Sequence, residues 1–300
     1  DGSFLNYAPD AAVITNVEAD HLDNYETAEA YQEYFRKFVA RVKPGGLVVA
    51  CADDPGAREL AAHARALGLR VRTYGESPDA DYRLTEITSL GMETAFTVTA
   101  GGVSGGVSGG GVSGGVSVGV PGRHNALNAA AAFVVVTELG TAPPAAAAAL
   151  GRYRGTARRM EPKGEVAGVR VLDSYAHHPT ELATDLRAAR DLASPGRVIA
   201  VFQPHLYSRT RIFAADFGAA LGLADEAVVL DVYAAREDPE PGVTGALVAG
   251  AVPGGARYVP VFADVPGAVA SIAAPGDVVL TMGAGDVTRL GPLILSELAR

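Results

Sequence analysis

The chain has 300 residues, 48% of them hydrophobic, and a formal net charge of -9 at pH 7. This length allows two domains that each bury a core, and the acidic surplus argues against nucleic acid or an anionic membrane as a partner, because both attract a basic face. No apolar run reaches the roughly 20 residues that a membrane span requires, and nothing in the sequence indicates an oligomeric state. The single cysteine, Cys51, cannot form an internal disulfide, so we expect a cytoplasmic location and a small buried side chain on a strand.

The first half of the chain alternates short β-branched runs with longer amphipathic stretches, which predicts an α/β fold with a parallel sheet. The predicted strands cover residues 12–15, 47–50, 70–74 and 116–120, and residues 82–99 predict a pair of antiparallel edge strands. The predicted helices cover residues 27–42, 56–67 and 125–139. Thr27 is placed to cap the first helix, and its aromatic stripe predicts core packing by Tyr31, Tyr34, Phe35 and Phe38.

A repeat of glycine, valine and serine occupies residues 101–117. It offers few side chains to offset the entropy lost on ordering so many glycines, so we expect a mobile hairpin tip. A phosphate-binding loop is disfavoured here, because no lysine follows the repeat and no helix begins in it.

The second half predicts a doubly wound open sheet, because strands and helices alternate regularly. The predicted strands cover residues 169–172, 198–202, 227–230, 258–261 and 278–281, and the predicted helices cover 180–192, 211–221, 242–249 and 287–298. The pair Pro143-Pro144 and the loop 151–156 mark the approach to a domain boundary. Ligands of such sheets bind beyond the carboxyl ends of the strands, so the loops at that edge are the first to consider.

Those loops hold most of the residues that a scaffold would not need. They carry His177, His178, His205, Arg209, Arg211 and Arg236. A histidine pair before a helix can be a cap, and two arginines can form a solvated turn, but their convergence on one edge favours an anion site for a carboxylate or phosphate. The Gly283-Ala284-Gly285 run alone indicates a tight strand-to-helix turn.

Three further groups are candidates for nucleotide chemistry. Asp20 and His21 follow a predicted strand, where they can bind a divalent metal or cap a helix. Asn125 and Asn128 are three residues apart on one helix face, and amides so placed can read a purine edge. The pair Arg158-Arg159 lies between the predicted domains, either to reach a phosphate during closure or as a surface pair.

These motifs, taken in order along nearly the whole chain, resemble the Mur ligases. The runs that carry the resemblance are 1–5, 15–21, 121–128, 158–159, 177–181 and 203–205. The last two runs, with residues 233–237, look similar to the family members that add L-alanine. The resemblance implies an α/β fold with a central, incomplete ATP-binding domain at 1–155 and a Rossmann-like carboxyl-terminal ligase domain at 156–300.

The resemblance also implies a reaction and a set of site residues. ATP would phosphorylate the lactyl carboxylate of UDP-N-acetylmuramate, and the amine of L-alanine would displace phosphate from the acyl phosphate, a step of peptidoglycan precursor synthesis. Mg²⁺ would be held by His21, and the nucleotide would contact Asn125, Asn128, Arg159 and Asp173. The substrates would meet catalytic His177, His205 and Arg209 and the binding residues Tyr175, His178 and Arg236. Any one of the three histidines could serve as the base.

The chain departs from the family pattern at several places. Its lysines, Lys37, Lys43 and Lys163, are followed by Phe, Pro and Gly, so the chain contains no Gly-Lys-Ser/Thr loop for phosphates. We therefore expect a piece of a longer protein, with that loop and a UDP-binding domain upstream, that is inactive alone. Ser174 stands where many members carry a second Asp, and Leu206 where many carry Arg.

Three other functions compete with this interpretation. A related ligase adds a tripeptide to the same acceptor during peptidoglycan recycling, but the 203–209 run argues against it. A nucleotide-binding module without catalysis stays open. An NAD-dependent dehydrogenase needs a fuller glycine fingerprint with an acidic residue about 20 positions further on, and Asp286 near the chain end leaves no such room.

Overall fold

The structure is a computed structural model that describes residues 2–17, 27–101 and 113–300. The described residues form two compact units. The first ends at Tyr153, and the second begins at Arg154 and also includes the short segments Leu90–Met92 and Val120–Gly122. Both units are α/β, with sheets of mostly parallel strands, as the sequence predicts. In the part of the chain that is described, no helix has the length and apolar character needed to cross a membrane.

The first unit contains, within the described residues, a six-stranded sheet in the order β1-β2-β3-β4-β5-β6. Its strands are β1 (Ala11–Ile14), β2 (Leu47–Cys51), β3 (Arg70–Gly75), β4 (Tyr82–Leu90), β5 (Glu93–Ala100) and β6 (Ser113–Val118). Its helices are α1 (Ala28–Val39), α2 (Pro55–Ala66), α3 (Arg123–Glu138) and α4 (Pro143–Leu150). Strands β1 to β4 pair in parallel, and β6 runs antiparallel to β5.

Helix α1 begins as predicted, because the Thr27 side chain accepts a hydrogen bond from the backbone N–H of Ala30 at 3.1 Å. The side chains of its aromatic stripe are only partly buried, so they pack less deeply than the predicted core position requires. Phe4, in a 3₁₀ turn near the start of the chain, packs against this stripe with its ring centre 5.7 Å from Phe35 and 5.5 Å from Phe38. Cys51 is 4% exposed on β2, which confirms the small buried side chain, and its burial raises the pKa of the thiol.

The glycine-valine-serine repeat lies only partly within the described residues. Residues 102–112 lie outside them, so the expected hairpin tip cannot be followed there. Residues 113–117 belong to strand β6, where the sequence predicted the end of a mobile tip. Val116 and Val118 supply the reason, because these alternate residues are buried on one face of the sheet, opposite Phe96 and Thr94 of the paired strand β5.

The second unit has, in the residues described for it, a six-stranded sheet in the order β11-β10-β9-β12-β8-β7. Its strands are β7 (Glu161–Val166), β8 (Val169–Ser174), β9 (Val198–Phe202), β10 (Glu226–Val229), β11 (Arg257–Tyr258) and β12 (Val278–Met282). Its helices are α5 (Pro179–Ala193), α6 (Tyr207–Leu221), α7 (Gly245–Ala251), α8 (Val265–Ala270) and α9 (Leu290–Leu298). All pairs in this sheet are parallel except β7 with β8.

Helices cover both faces of this sheet, which is the doubly wound arrangement that the sequence predicts. Alternate residues of each strand point to opposite faces, so Ala200 and Phe202 pack with α5, α6 and α7, whereas Ile199 and Val201 pack with α8 and α9. Ser174, Phe202 and Met282 lie side by side at the carboxyl ends of β8, β9 and β12. The loops that follow these three strands therefore meet at one edge.

Helix α4 of the first unit was not predicted, and three elements of the second unit differ most from the prediction. Strand β7 was not predicted, because Pro162 and Gly164 interrupt its pattern and a bulge separates them, as an edge strand tolerates. Helix α8 was not predicted because it contains Pro266 and Gly267, which are typical of turns. Helix α6 begins at Tyr207 rather than at Arg211, so Arg209 belongs to a helix and not to a loop.

Candidate functional site

The candidate site is the edge of the second sheet where strands β8, β9 and β12 end. Asp173 lies one residue before the end of β8 and is completely buried. Its carboxylate accepts hydrogen bonds of 2.7 Å from the hydroxyl groups of Thr281 and Thr288. Arg158 Nε lies 3.4 Å from the same carboxylate, within ion-pair distance but outside hydrogen-bond geometry. The structure thus places Asp173 beneath the site, and its predicted contact with a nucleotide stays a prediction.

The two neighbouring arginines have different surroundings. Arg158 is half-buried, donates to the Gly283 carbonyl at 2.5 Å and lies 4.8 Å above the ring of Tyr175. Arg159 is exposed, and its guanidinium lies 3.6 Å from the carboxylate of Glu181. Arg159 is therefore better placed than Arg158 to exchange its carboxylate partner, Glu181, for the phosphate of a ligand.

The segment after β8 holds two histidines in different environments. His177 Nδ1 lies 3.0 Å from the Tyr175 carbonyl oxygen and 3.2 Å from Glu181, and its ring meets that of Tyr175 edge to face at 5.3 Å. His178 is 8% exposed and packs against Phe213 at 5.2 Å, with its Nε2 lacking a hydrogen-bond partner among the described residues. The structure brings Tyr175 and His177 to the edge and does not bring His178 there.

Three rings form a continuous group at the centre of the site. The rings of His177 and His205 are 6.3 Å apart, and His205 stacks on Tyr233 at 5.8 Å and 14°. Tyr233 follows β10, and its backbone is bound to Pro204 at 2.8 Å and to Leu206 at 3.0 Å. Tyr233 was in none of our site predictions, although its position in a loop at the binding edge was a signal for it.

Burial, then the positive charge of Arg209, the neighbouring His177 and Arg236 together lower the pKa of His205 to about 4, against a smaller opposing effect of Glu237. His205 is therefore neutral at pH 7. Arg209 is 8% exposed in the first turn of α6, whereas Arg236 is exposed. Arg211 lies away from this group and pairs with Glu240 at 3.0 Å.

Helix α6 begins without a side-chain cap of its own. Leu206, in the N-cap position, is 4% exposed and has a φ of 71°, a backbone conformation that is strained for a bulky residue. The carboxylate of Glu237 accepts from the backbone N–H of Ser208 at 3.0 Å and from its hydroxyl group. Burial opposes ionisation of Glu237, but these hydrogen bonds outweigh it and lower the pKa of Glu237. Glu237, although distant in sequence, thus caps the first turn of α6, which carries Arg209 beside His205.

Gln203 joins the loops after β9 and β12. Its amide donates to Asp286 at 2.9 Å and accepts from the backbone N–H of Val287 at 3.1 Å. A Cβ added at Gly285 would lie 2.6 Å from Gln203 Oε1 and 2.6 Å from the ring of Tyr233. Gly285 is thus needed for close approach of the two loops, as the predicted tight turn implies.

Glu181 organises the segment between β8 and α5, although it was in none of our site predictions. Its carboxylate accepts from the backbone N–H groups of His177 at 2.9 Å and His178 at 3.2 Å. It also lies beside Arg159, so it links a predicted phosphate contact to a predicted catalytic residue. Its position three residues after the helix N-cap is typical of a capping box, and that spacing was a signal for it.

The predicted nucleotide residues of the first unit lie at the start of α3. Asn125 is half-buried and Asn128 is exposed, while Arg123 pairs with Glu76 and lies 3.7 Å from Asp53. His21 lies outside the described residues. Within the ranges that the structure describes, no three His, Cys, Asp or Glu side chains are grouped to hold a metal ion. The described residues thus offer no fitting set for Mg²⁺.

Comparisons with known proteins match both units. Residues 3–136 match the Mur ligase middle domain, and residues 158–285 match the family described as Mur ligase, glutamate ligase domain. The chain is 56% identical over 302 residues to a UDP-N-acetylmuramate–L-alanine ligase of Kineococcus radiotolerans, a match that covers 100% of the chain and 62% of that relative. A second such ligase, from Saccharopolyspora erythraea, is 53% identical over 100% of the chain and 60% of its own length.

A solved structure extends the likeness to three dimensions. The UDP-N-acetylmuramate-alanine ligase of Thermotoga maritima has a TM-score of 0.76 at 26% identity, covering 99% of this chain and 61% of that one. The chain thus spans about 60% of the length of the relatives that it matches. Two adjacent family domains, together with relatives at more than half identity along the whole chain, show that the chain belongs to the Mur ligase family.

Proposed function

We propose that the protein of which this chain is part joins L-alanine to UDP-N-acetylmuramate at the expense of ATP, in peptidoglycan precursor synthesis in the cytoplasm. The observation that carries the proposal is the group of His177, His205, Tyr233, Arg209 and Arg236 at the carboxyl edge of the second sheet. Two relatives at more than half identity bear the name of this ligase, which favours L-alanine over a tripeptide.

The site residues suit a reaction between two carboxylate-bearing substrates. The lactyl carboxylate would attack the γ-phosphate of ATP, giving an acyl phosphate and ADP. The alanine nitrogen would then bond to the acyl carbon while the bond from that carbon to the phosphate oxygen breaks. Arg209 and Arg236 would hold carboxylates by charge-assisted hydrogen bonds, and Arg159 would stabilise charge on the transferred phosphoryl group.

The attacking amine must lose a proton, and the surroundings of the histidines suggest which one accepts it. His205 is neutral at pH 7, but a group with a pKa of about 4 holds a proton poorly. His177 is therefore our candidate for the base, since the Tyr175 carbonyl oxygen and Glu181 orient its ring. His205 would serve as a neutral hydrogen-bond partner of the substrate.

The nucleotide roles are proposals as well. Asn125 and Asn128 would read the adenine edge, and the predicted domain division at 155/156 would separate nucleotide binding from amino-acid binding. A requirement for Mg²⁺, with His21 as a ligand, stays a prediction of the family resemblance. Because no fitting set of ligands occurs among the described residues, we derive no step through the metal.

The test is an assay of the protein together with any residues that its gene encodes before Asp1. We expect phosphate release that requires ATP, UDP-N-acetylmuramate and L-alanine, and a product heavier than the acceptor by one alanine residue. His177→Ala should lower kcat by about 100-fold, and His205→Ala by about tenfold. Use of a tripeptide in place of L-alanine would support the recycling ligase, and unchanged turnover in both histidine variants would remove the base from the scheme.

A further inference from the structure

A buried hydroxyl-carboxyl pair lies directly beneath the Tyr175–His178 segment. Ser174 ends strand β8, and Asp185 lies in the middle of helix α5; they are 0% and 7% exposed. The Ser174 hydroxyl donates to the Asp185 carboxyl group, and its oxygen accepts from the backbone N–H of Ala176 at 3.0 Å. The hydroxyl thus connects a helix side chain to the backbone of the site segment.

The fold itself gives no reason for a carboxyl group at this position. Leu182, Leu186 and Ala189 of the same helix belong to the core between α5 and the sheet, where an apolar side chain is the usual choice. Burial of a carboxyl group costs free energy that hydrogen bonds offset only in part. An acidic side chain kept here is better explained by the group that it binds than by stability.

The pair acts on the same backbone segment as Glu181, which lies one helical turn before Asp185 on α5. Glu181 accepts directly from the backbone N–H groups of His177 and His178. Asp185 reaches the N–H group of Ala176 through Ser174. Three consecutive backbone N–H groups are therefore held by two carboxyl groups four residues apart on one helix face.

We propose that Asp185 is a positioning residue, whose carboxyl group acts through the Ser174 hydroxyl to fix the backbone at Ala176 and so to place the side chains of Tyr175 and His177. A serine hydroxyl has one proton and two lone pairs. When that proton goes to an ionised Asp185, the lone pairs are left for the N–H group of Ala176, and the charged acceptor makes the bond stronger. The proposal rests on the proposed function only for its effect on turnover.

The charge of Asp185 changes near neutral pH, which gives the proposal a readout. Burial raises the pKa of Asp185 to about 6, against the opposing effects of the Ser174 hydrogen bond and of Arg159, while Glu181 raises it. The backbone N–H group of Ala176 should sense this titration through Ser174.

The first experiment uses residues 1–300 and needs no catalysis. The amide resonance of Ala176, followed by NMR between pH 4.5 and 7.5, should shift with a midpoint near pH 6 in the original chain. Asp185→Asn keeps the size and the hydrogen-bond acceptor but not the charge, so this shift should disappear when both chains also carry His177→Gln, which removes the titration of the neighbouring imidazole. Asp191→Asn, at an exposed position of the same helix, is the control and should leave the shift in place. An unchanged Ala176 titration in Asp185→Asn overturns the proposal.

The second experiment measures turnover in the protein with any residues that precede Asp1 in its gene. Asp185→Ala and Ser174→Ala should each lower kcat/KM by about tenfold, because a misplaced catalytic group reacts more slowly. The double variant should be no slower than either single variant, since all three break the same connection. Losses that multiply to about 100-fold would contradict the proposal, as would single variants with unchanged kcat/KM.

The two experiments separate this proposal from the proposed function. If the original protein shows no alanine-dependent phosphate release, the proposed function fails and the Ala176 titration still decides the role of Asp185. If the alanine variants do not fold, Asp185→Asn decides it by the same titration.

Discussion

The pKa values of two residues of the second unit, the half-buried His205 and the buried Asp185, are shifted in opposite directions. His205 has a pKa of about 4, below its ordinary 6.5, so between these values the unfolded chain binds a proton that the folded chain does not. Stability therefore falls as the pH drops from 6.5 to 4. Asp185 has a pKa of about 6, above its ordinary 3.8, so the folded chain binds the extra proton. Its contribution makes stability fall as the pH rises from 3.8 to 6.

We predict that substitution of either residue removes its contribution to the pH dependence of the free energy of unfolding. The original chain loses stability through His205 as the pH drops from 6.5 to 4, and His205→Gln should not. The difference between their free energies of unfolding should therefore change by on the order of 2 kcal/mol over this range, in favour of the variant. Relative to the original chain, Asp185→Asn should gain a similar amount when the pH rises from 4 to 6.5. The measurement is the free energy of unfolding in urea at half-unit steps of pH. The original chain should vary less with pH than either variant does.

A matched control is available for this comparison. Asp191→Asn changes an exposed carboxylate of helix α5, the helix that carries Asp185, and should parallel the original chain at every pH. The groups that act on His205 are Arg209, His177, Arg236 and Glu237, and those that act on Asp185 are Ser174, Arg159 and Glu181. If the two variants show slopes of the same sign, the pKa shifts that we assign are wrong.

At the scale of elements, the sequence predicted regular segments well and failed where distant residues decide. Buried strands such as β8, β9 and β12 carry continuous apolar runs, and α1 carries its own cap at Thr27. Helix α6 has no such signal, because its first turn is capped by Glu237, which lies 29 residues after Ser208. Strand β7 forms only because β8 offers it an edge. No local pattern contains that information.

The connection between the loops after β9 and β12 leads to a prediction about Gly285. Gly285→Ala would push a methyl group against Gln203 and Tyr233, so the hydrogen bonds of Gln203 to Asp286 and Val287 should be lost. We expect a loss of about 2 kcal/mol in the free energy of unfolding, and lower turnover as Tyr233 moves away from His205. Thermal or urea unfolding of residues 1–300 measures the first effect.

Helix α7 supplies the control for that substitution. Gly250 has no atom near the position of an added Cβ, so Gly250→Ala should be neutral or stabilise the helix by a few tenths of a kcal/mol. If Gly285→Ala changes the free energy of unfolding as little as Gly250→Ala does, a small backbone movement relieves the close approach at Gly285.

At the scale of the whole molecule, the sequence predicted which residues lie at one edge of the second sheet but not how deeply each is buried. The rule that ligands bind beyond strand carboxyl ends selected loops that the structure brings together, with His177, His205, Arg209 and Arg236 gathered there. It could not distinguish His178, which turns inward against Phe213, from His177. Burial depends on which helix packs over a loop, and α6 was predicted to start four residues too late.

The charge of the molecule leads to a last prediction. The net charge is -9, yet the positive charges of Arg209 and Arg236 both act on His205 at the candidate site. We therefore expect an anionic substrate to be attracted to this site although the protein as a whole is acidic. For the protein assayed with any residues before Asp1, the KM for the proposed substrate, UDP-N-acetylmuramate, should rise with ionic strength. Arg236→Ala should raise that KM about fivefold at low salt and flatten its salt dependence. Arg187→Ala, at an exposed position of α5, should behave like the original protein, and equal slopes in the two variants would exclude Arg236 from the site.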